Sequence, residues 1–217
     1  MALDKDSLSS DILSVFNSMK SRAQSKTNPP TNTDFSNGIS NAVVTYISKG
    51  EVSTNDSGTI PTGTYTDGKG KGKLTVTATN CAKIILDACD NMNSRNRDDA
   101  YLAEEIGKAL KKMADEGTVA TTVTGGTMTP PSGQPVTDYG GSAEGTISCN
   151  STSLVSNLKT VFSEMNRRRN EENFDGNEYL ADELASNIHS FWTSGTVSTN
   201  GIGNLEGSSG SGSISWR

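Results

Sequence analysis

The sequence predicts an α+β fold built from three tandem repeats of about 70 residues, spanning 1–76, 77–149 and 150–217. Three observations predict it. Apolar residues recur every 73 residues with helical spacing, a second helical stripe ends each time at a glycine, and each repeat closes on a strand of alternating glycines. Each repeat is therefore expected to hold two helices followed by a hairpin-like pair of strands, the second of them glycine-rich.

The first helix of each repeat is indicated by apolar residues at i, i+4, i+8 and i+11, which form one stripe on an α-helix. In the second repeat Asn80, and in the third Ser151 or Ser153, are expected to cap the start of this helix. The matching positions are Leu8, Cys81 and Leu154; Ile12, Ile85 and Leu158; Phe16, Cys89 and Phe162; and Met19, Met92 and Met165.

A second helix follows in each repeat, again with helical apolar spacing. Its matching positions include Phe35, Leu102 and Leu180; Ile39, Ile106 and Leu184; and Val43, Leu110 and Ile188. The pattern ends at a glycine in all three repeats, where a left-handed residue is expected to stop the helix. The three glycines are Gly50, Gly117 and Gly195. A valine stands two residues after each of them, so the chain is expected to pass directly from helix to strand.

The last segment of each repeat reads small-x-small-x-Gly-x-(Leu/Ile)-(Thr/Ser), over 68–75, 141–148 and 208–215. Its period of two is that of a strand, and one face carries almost no side chain. Glycine weakens a strand, so its use here predicts that another backbone or a helix approaches closely. The predicted close-approach positions are Gly70, Gly72, Gly145, Gly210 and Gly212. The two strands of a repeat are expected to pair antiparallel, with the helices packed on one face.

A single unit of this size has too small a core to be stable alone, so the repeats are expected to bury their faces on one another. Two arrangements stay open. The repeats stack linearly as in a solenoid, or they close around a pseudo-threefold axis like a fused trimer. The closed arrangement is favoured, because three bare glycine faces fit near an axis where side chains would collide.

Composition excludes several classes of protein. Hydrophobic residues make up 32% of the chain, while Ser, Thr, Asn and Gly together supply 95 of 217 residues. No apolar stretch is long enough to span a membrane, and the first residues lack the pattern of a signal peptide. A net charge of −6 disfavours nonspecific binding of nucleic acid. The three cysteines have no metal-binding spacing, so they are expected to be small buried hydrophobes in a chain made in a cytoplasm.

A search for catalytic or ligand-binding residues predicts none, and no cofactor or metal. The single histidine, His189, has no matching nucleophile and is expected to be solvated or partly packed. The Gly-Lys run at 68–73 lacks the spacing of a phosphate-binding loop and is expected to be a strand with solvated lysines. Arg167–Arg169 are expected to interact with a helix C-terminus and solvent, and acidic pairs such as Asp98–Asp99 with a helix N-terminus. Trp192 continues the buried stripe, while Trp216 is either tucked onto the body or presented to a partner.

With the repeat laid out, the chain resembles small virion structural proteins of tailed bacteriophages. The resemblance rests on the helix end (Ile/Val)-x-x-Tyr-Ile-x-x-Gly-x-Val over 43–52, on the glycine-rich tail at 208–215, and on the Ser/Thr/Asn/Gly-rich style. It implies a non-enzymatic particle component that decorates the capsid or builds the neck, tail or baseplate. No functional residues transfer with it.

The expected role is therefore assembly in a virion, after synthesis in the host cytoplasm. Multiple copies are expected to bind other virion structural proteins in a symmetric assembly, through loops and glycine-strand faces, with extended segments adding to a neighbour's sheet edge. An alternative is an adhesin or carbohydrate-binding module that uses the Asn/Thr/Gly-rich loops. That alternative needs clustered aromatic residues, for which the loops offer only Tyr65 and Tyr139.

Overall fold

The computed structural model describes residues 5–25, 28–95 and 97–215. Over these residues two helices alternate with two strands, three times in succession, which confirms the α+β class. A single 3₁₀ turn at Gly203–Leu205 interrupts the last strand pair. The elements are α1 (Lys5–Ser25), α2 (Asn32–Ser48), β1 (Glu51–Ile60), β2 (Gly63–Thr75), α3 (Thr79–Arg95), α4 (Asp99–Asp115), β3 (Thr118–Thr129), β4 (Val136–Ser148), α5 (Thr152–Arg168), α6 (Gly176–Thr193), β5 (Thr196–Ile202) and β6 (Ser208–Ser215).

The six strands form a closed antiparallel barrel in sequence order. Each strand pairs with the next, and β6 returns to pair with β1, so that Val52 faces Gly72 on one side and Ile214 on the other. The predicted pairing of the two strands within each repeat is confirmed. Closure was one of two arrangements left open by the sequence, and it gives most of the strand length a partner on both sides.

The helices pack in a ring, each against the next and α6 against α1. They share one apolar core with a single layer of barrel residues, one from each strand: Val52, Leu74, Val119, Ile147, Val197 and Ile214. The expectation that helices cover one face of the strands is wrong. They cover one end of the barrel, because a closed sheet turns its inner face toward itself and leaves only its ends to be sealed. A smaller cluster around Ile60, Tyr65 and Leu205 fills the far end.

Each second helix of a pair ends just before the predicted glycine. The N–H groups of Gly50, Gly117 and Gly195 donate to carbonyl oxygens three residues back, at 2.9–3.1 Å. None of the three glycines has a positive φ, so the expectation of a left-handed stop is wrong. The chain leaves the helix through a right-handed turn that leads straight into the strand. At Gly195 the reason for glycine is space, since a Cβ there would lie 2.6 Å from the Cys149 sulfur.

The predicted caps of α3 and α5 are also wrong. Asn80 lies inside α3 and donates to the Glu116 carboxylate at 2.9 Å. Ser151 makes no side-chain cap bond and Ser153 lies within α5, while Asn150 accepts the Thr152 N–H at 2.9 Å. Only three residues separate β4 from α5, so the strand enters the helix with little room for a standard cap. The helices α2, α4 and α6 follow loops and carry ordinary caps at Thr31, Asp98 and Asp175.

Candidate functional site

The glycine faces of β2, β4 and β6 point into the barrel, while the alternating lysines of β2 are exposed. A Cβ built on Gly72, Gly145 or Gly212 would lie 1.8–1.9 Å from a backbone carbonyl oxygen of the neighbouring strand. The three oxygens are those of Ala120, Ser198 and Ser53, in β3, β5 and β1. The strands therefore approach too closely for any side chain at these positions.

Two predicted modes of partner binding are wrong for this reason. The glycine faces lie inside the barrel, so they serve its closure and offer no surface to a neighbour. Strand addition to an open sheet edge is likewise not available along the paired length of the barrel, since closure removes edges. Contacts with other molecules are therefore left to the outer wall of the barrel, the ends of the body, its loops and its helix surfaces.

Inside the barrel, Asp56 is 1% exposed and is surrounded by hydroxyl groups. The Thr54 hydroxyl donates to its carboxyl group at 2.6 Å and the Thr199 hydroxyl at 3.1 Å. Among the described residues no cationic side chain lies within ion-pair distance of it. The bare positions Gly70 and Gly210 make room for this group, since a Cβ on Gly210 would lie 2.0 Å from Asp56 Oδ1. Sequence reasoning missed Asp56, although its alternation with Val52 and Thr54 signals an inward position.

An apolar groove of about 700 Å³ lies at the end of the helical ring away from the barrel. It runs between α1 and α6 and is completed by the start of α2 and the α5–α6 loop. The rings of Phe16 and Phe35 stack with centroids 6.1 Å apart in its wall. Its main apolar lining residues are Phe16, Met19, Phe35, Met165, Phe174 and Leu180. We call this feature the distal groove.

At the same end of the helical ring, two other junctions between neighbouring helices are bridged by hydrogen bonds between polar side chains. Asn32 donates to Asp90 across α2 and α3 at 2.7 Å, and Asn166 donates to Asp99 across α4 and α5. The junction of α1 with α6 instead presents apolar walls, with Lys20 exposed at the rim. The distal groove is therefore a local departure from the pattern of the ring.

The rim of the distal groove has one cation without an ion-pair partner in the part of the chain that the structure describes, Lys20. Asp175, also at the rim, caps α6 by accepting the N–H groups of Asn177 and Glu178 at 2.9 and 3.2 Å. These two backbone hydrogen bonds, with a smaller contribution from Lys20, lower the pKa of Asp175. The Asp175 carboxylate therefore stays ionised, and the rim carries its negative charge together with the positive charge of Lys20.

The lysine run lies on β2, as predicted, and is engaged within the molecule. Lys69 donates to the Asn55 side chain at 2.7 Å and Lys73 to the Gly50 carbonyl at 3.0 Å. Lys71 lies 3.9 Å from Glu51. The run therefore forms no phosphate-binding loop.

His189 and the three cysteines are at least partly packed inside the molecule. His189 is half-buried, with its ring edge toward Tyr46 and a hydrogen bond between its Nδ1 and the Tyr46 hydroxyl. All three cysteines are free; Cys81 and Cys149 are buried as expected, whereas Cys89 is only half-buried. Burial raises the pKa of Cys81 to about 11 and of Cys149 to about 12, so both thiols stay protonated at neutral pH.

The charged runs also pair internally. Arg167 forms ion pairs with Glu164 and Glu171, and Arg168 lies 4.4 Å over the Phe174 ring. Asp98 caps α4, as the acidic pairs predict. Among residues 5–25, 28–95 and 97–215, no group of three or more His, Cys, Asp or Glu side chains is placed to hold a metal ion.

Trp192 is fully buried, as its stripe predicts, whereas Trp216 lies outside the described residues. None of the described helices combines the length and the hydropathy needed to cross a membrane. Comparison of the chain with protein-family models, with curated proteins and with solved structures finds no match.

Proposed function

We propose that this chain is a non-enzymatic structural component of a tailed-bacteriophage particle. In this proposal three αα-ββ repeats close about a pseudo-threefold axis, and the body stabilises the assembly by contact with neighbouring subunits of the capsid, neck, tail or baseplate. The phage setting comes from the resemblance of the sequence. The structural observation that carries the threefold scaffold of this proposal is the glycine-to-carbonyl contact, which occurs in the same form at Gly72, Gly145 and Gly212.

Further equivalences support the threefold arrangement. Each of β1, β3 and β5 has a buried threonine two residues after its first core valine. These threonines are Thr54, Thr121 and Thr199. The helix ring and the barrel both close after three helix pairs and three strand pairs. A repeated scaffold of this kind suits a position in a symmetric particle, because its backbone elements recur in three directions.

Adhesion is the proposed mechanism, since Asp56, the lysine run of β2 and the arginine run of α5 are engaged within the molecule. Asp56 is buried among hydroxyls, and the arginine run pairs with its own helix and loop. The alternative of a carbohydrate-binding module loses support, because it predicts aromatic rings clustered in a loop, whereas Tyr65 lies in β2 and Tyr139 in β4. Tyr65 is 0% exposed and packs edge-on against Tyr139 inside the far end of the barrel.

Mass spectrometry of purified particles tests this proposal. Particles of the phage that encodes the chain are purified on a density gradient, and the expected result is the chain in constant ratio to the other structural proteins across the particle peak. Particles from a deletion strain, and from the same strain complemented in trans, provide the controls. A chain that is expressed in infected cells yet absent from complemented particles contradicts the proposal.

A further inference from the structure

The two ends of this molecule carry complementary features. The distal groove lies at the end of α1 remote from the barrel. The strands β3 and β4 run the other way, since β3 begins directly after α4, so their connecting loop lies at the opposite end of the body. We call residues 130–138, which comprise this loop and the start of β4, the hairpin tip.

The hairpin tip is exposed, rich in proline and stiff. Residues 131–138 are all exposed, and Val136 is 45% exposed. Three prolines, Pro130, Pro131 and Pro135, restrict the backbone of the loop. A segment that is already restricted loses less conformational entropy on binding, so its contacts contribute more to affinity.

The chemistry of the hairpin tip matches the distal groove. Proline-rich segments bind grooves lined by aromatic side chains, and this groove has Phe16, Phe35 and Phe174 in its wall. Asp138 is exposed two residues from Val136, and Lys20 is exposed at the rim of the groove and forms no ion pair within 4.0 Å among the described residues. When the hairpin tip binds in the distal groove, Asp138 and Lys20 place opposite charges beside an apolar contact. Such charge complementarity favours the correct partner and the correct register.

The exposed apolar side chains narrow the choice of occupant. Among the described residues only Val136 and Ile202 are large hydrophobic residues that stand largely exposed. Ile202 ends β5 and lies opposite Ser142, whereas Val136 begins β4 and directly follows the loop that holds the three prolines. The chain itself thus carries an exposed segment whose valine, prolines and carboxylate complement the chemistry of the groove.

We infer that the hairpin tip of one copy binds in the distal groove of a second copy, with Val136 and the prolines against the aromatic wall and Asp138 beside Lys20. This inference deepens the proposed structural function by naming a partner, a second copy of the chain. The contact joins two different surfaces of the same molecule, so it is heterologous and repeats from copy to copy. Such contacts build an open filament or a closed ring, according to the rotation between copies.

Sedimentation velocity of the purified full chain tests the inference without a particle. The sedimentation coefficient is expected to rise with concentration between the micromolar range and about 1 mM. Val136→Asp removes the apolar anchor of the tip, and Met19→Asp places a charge in the groove. Each is expected to weaken self-association by about tenfold or more, because an unpaired charge is costly in an apolar contact.

Mixing the two variants identifies the geometry. The Met19→Asp copy keeps an intact tip and the Val136→Asp copy an intact groove, so the equimolar mixture is expected to form dimers and stop there. The charge pair is tested by exchanging its two charges. Lys20→Glu alone and Asp138→Lys alone are each expected to weaken association, and a chain that carries both changes is expected to regain it. The matched controls are Ser14→Asp, on the exposed opposite face of α1, and Ile202→Asp, and both are expected to associate like the wild type.

Melting temperatures within about 2 °C of the wild type establish that each variant is folded, since all of these positions are at least partly exposed. A wild-type chain that stays monomeric up to the highest concentration overturns the inference. So does a mixture that fails to form dimers, or a control that weakens association as much as Met19→Asp. None of these results bears on the presence of the chain in particles, so a failure here is distinguishable from a failure of the proposed function.

Discussion

At the scale of single residues, the missing side chains of Gly72, Gly145 and Gly212 decide how closely neighbouring strands approach. The obstacle to a larger residue is backbone in all three cases, so no side-chain rotation relieves it. The sequence pattern predicted a close approach at these glycines, because alternate glycines leave one strand face bare. It did not predict that the approaching group is the next strand of the same barrel.

Substitution of these glycines by Val is expected to impair folding. Gly72→Val, Gly145→Val and Gly212→Val should each lower the free energy of unfolding by about 3 kcal/mol or more, as severe overpacking does. Urea unfolding followed by circular dichroism measures the change. Gly176→Ala is the matched control, since a Cβ there has only ordinary contacts at 3.7 Å and beyond and lies in α6. Val variants as stable as the wild type would disprove the close approach.

A second prediction concerns the buried carboxyl group of Asp56 and the glycine beside it. Gly210→Ala places a Cβ 2.0 Å from Asp56 Oδ1 and is expected to cost about 1–3 kcal/mol of unfolding free energy. Asp56→Ala leaves the Thr54 and Thr199 hydroxyls without their acceptor and costs a similar amount.

The double variant measures whether the two positions interact. It should be less destabilised than the sum of the single variants by about 1 kcal/mol or more, because the alanine at 210 occupies space that Asp56 vacates. Denaturant unfolding of the four proteins gives this coupling energy. Simple additivity would show that Gly210 is required for some reason other than room for Asp56.

At the scale of secondary-structure elements, the apolar stripes in the sequence correctly predicted both helices of every pair. Stripe positions such as Leu8, Ile85 and Leu184 are buried in the core, because helical periodicity follows from which face is buried. The ends were harder to predict. The stops at Gly50, Gly117 and Gly195 were placed correctly along the chain but assigned the wrong backbone conformation. Caps depend on the path of the incoming chain, which a sequence pattern does not contain.

The start of α2 offers a test of one such cap. The Thr31 hydroxyl accepts the Asp34 N–H, while the Asp34 carboxylate accepts the Thr31 N–H at 2.7 Å, which forms a capping box. Thr31→Ala is expected to lower the free energy of unfolding by about 1 kcal/mol at neutral pH. The control is Thr33→Ala, because Thr33 is the second residue of α2 and its side chain is exposed. Equal stability of the two variants would show that the cap contributes nothing.

The pH dependence of this cap has a definite sign. Hydrogen bonding from Arg22, and then from Thr31, holds the pKa of Asp34 well below its usual value of 3.8. A carboxyl group with a lowered pKa in the folded state stabilises the fold above its unfolded pKa and loses this effect as pH falls through the folded value. The difference between wild type and Thr31→Ala should therefore narrow as pH drops below 3.8, in unfolding curves measured at a series of pH values.

At the scale of the whole molecule, closure is the property that the sequence left undecided. The pairing of β1 with β6 joins Glu51 to Ser215, and no local pattern specifies a contact over such a separation. The distal groove was missed for a related reason. Its walls combine Met19 of α1 with Met165 and Leu180 from the last third of the chain, so it exists only once the ring has closed.

Circular permutation tests whether closure, rather than chain order, defines the fold. Three residues connect β2 to α3 and three connect β4 to α5, whereas six residues of the sequence, 216–217 and 1–4, would join β6 to α1. A permutant that begins at Asn150 and ends at Cys149 therefore needs no added linker. It is expected to unfold in one cooperative transition near the wild-type midpoint, because redistributing a short connection changes loop entropy only slightly.

Deletion of residues 150–217 provides the contrast. It removes α5, α6, β5 and β6, which leaves β1 and β4 each without a partner on one side and opens the shared core. The shortened chain is expected to lose cooperative unfolding and to associate through its unpaired strands, as size-exclusion chromatography and thermal circular dichroism would report. A permutant that fails to fold, beside a deletion variant that unfolds cooperatively as a monomer, would mean that the repeats are independent units joined in sequence. The closed barrel requires the opposite pair of results, because each strand pair completes the edges of the other two.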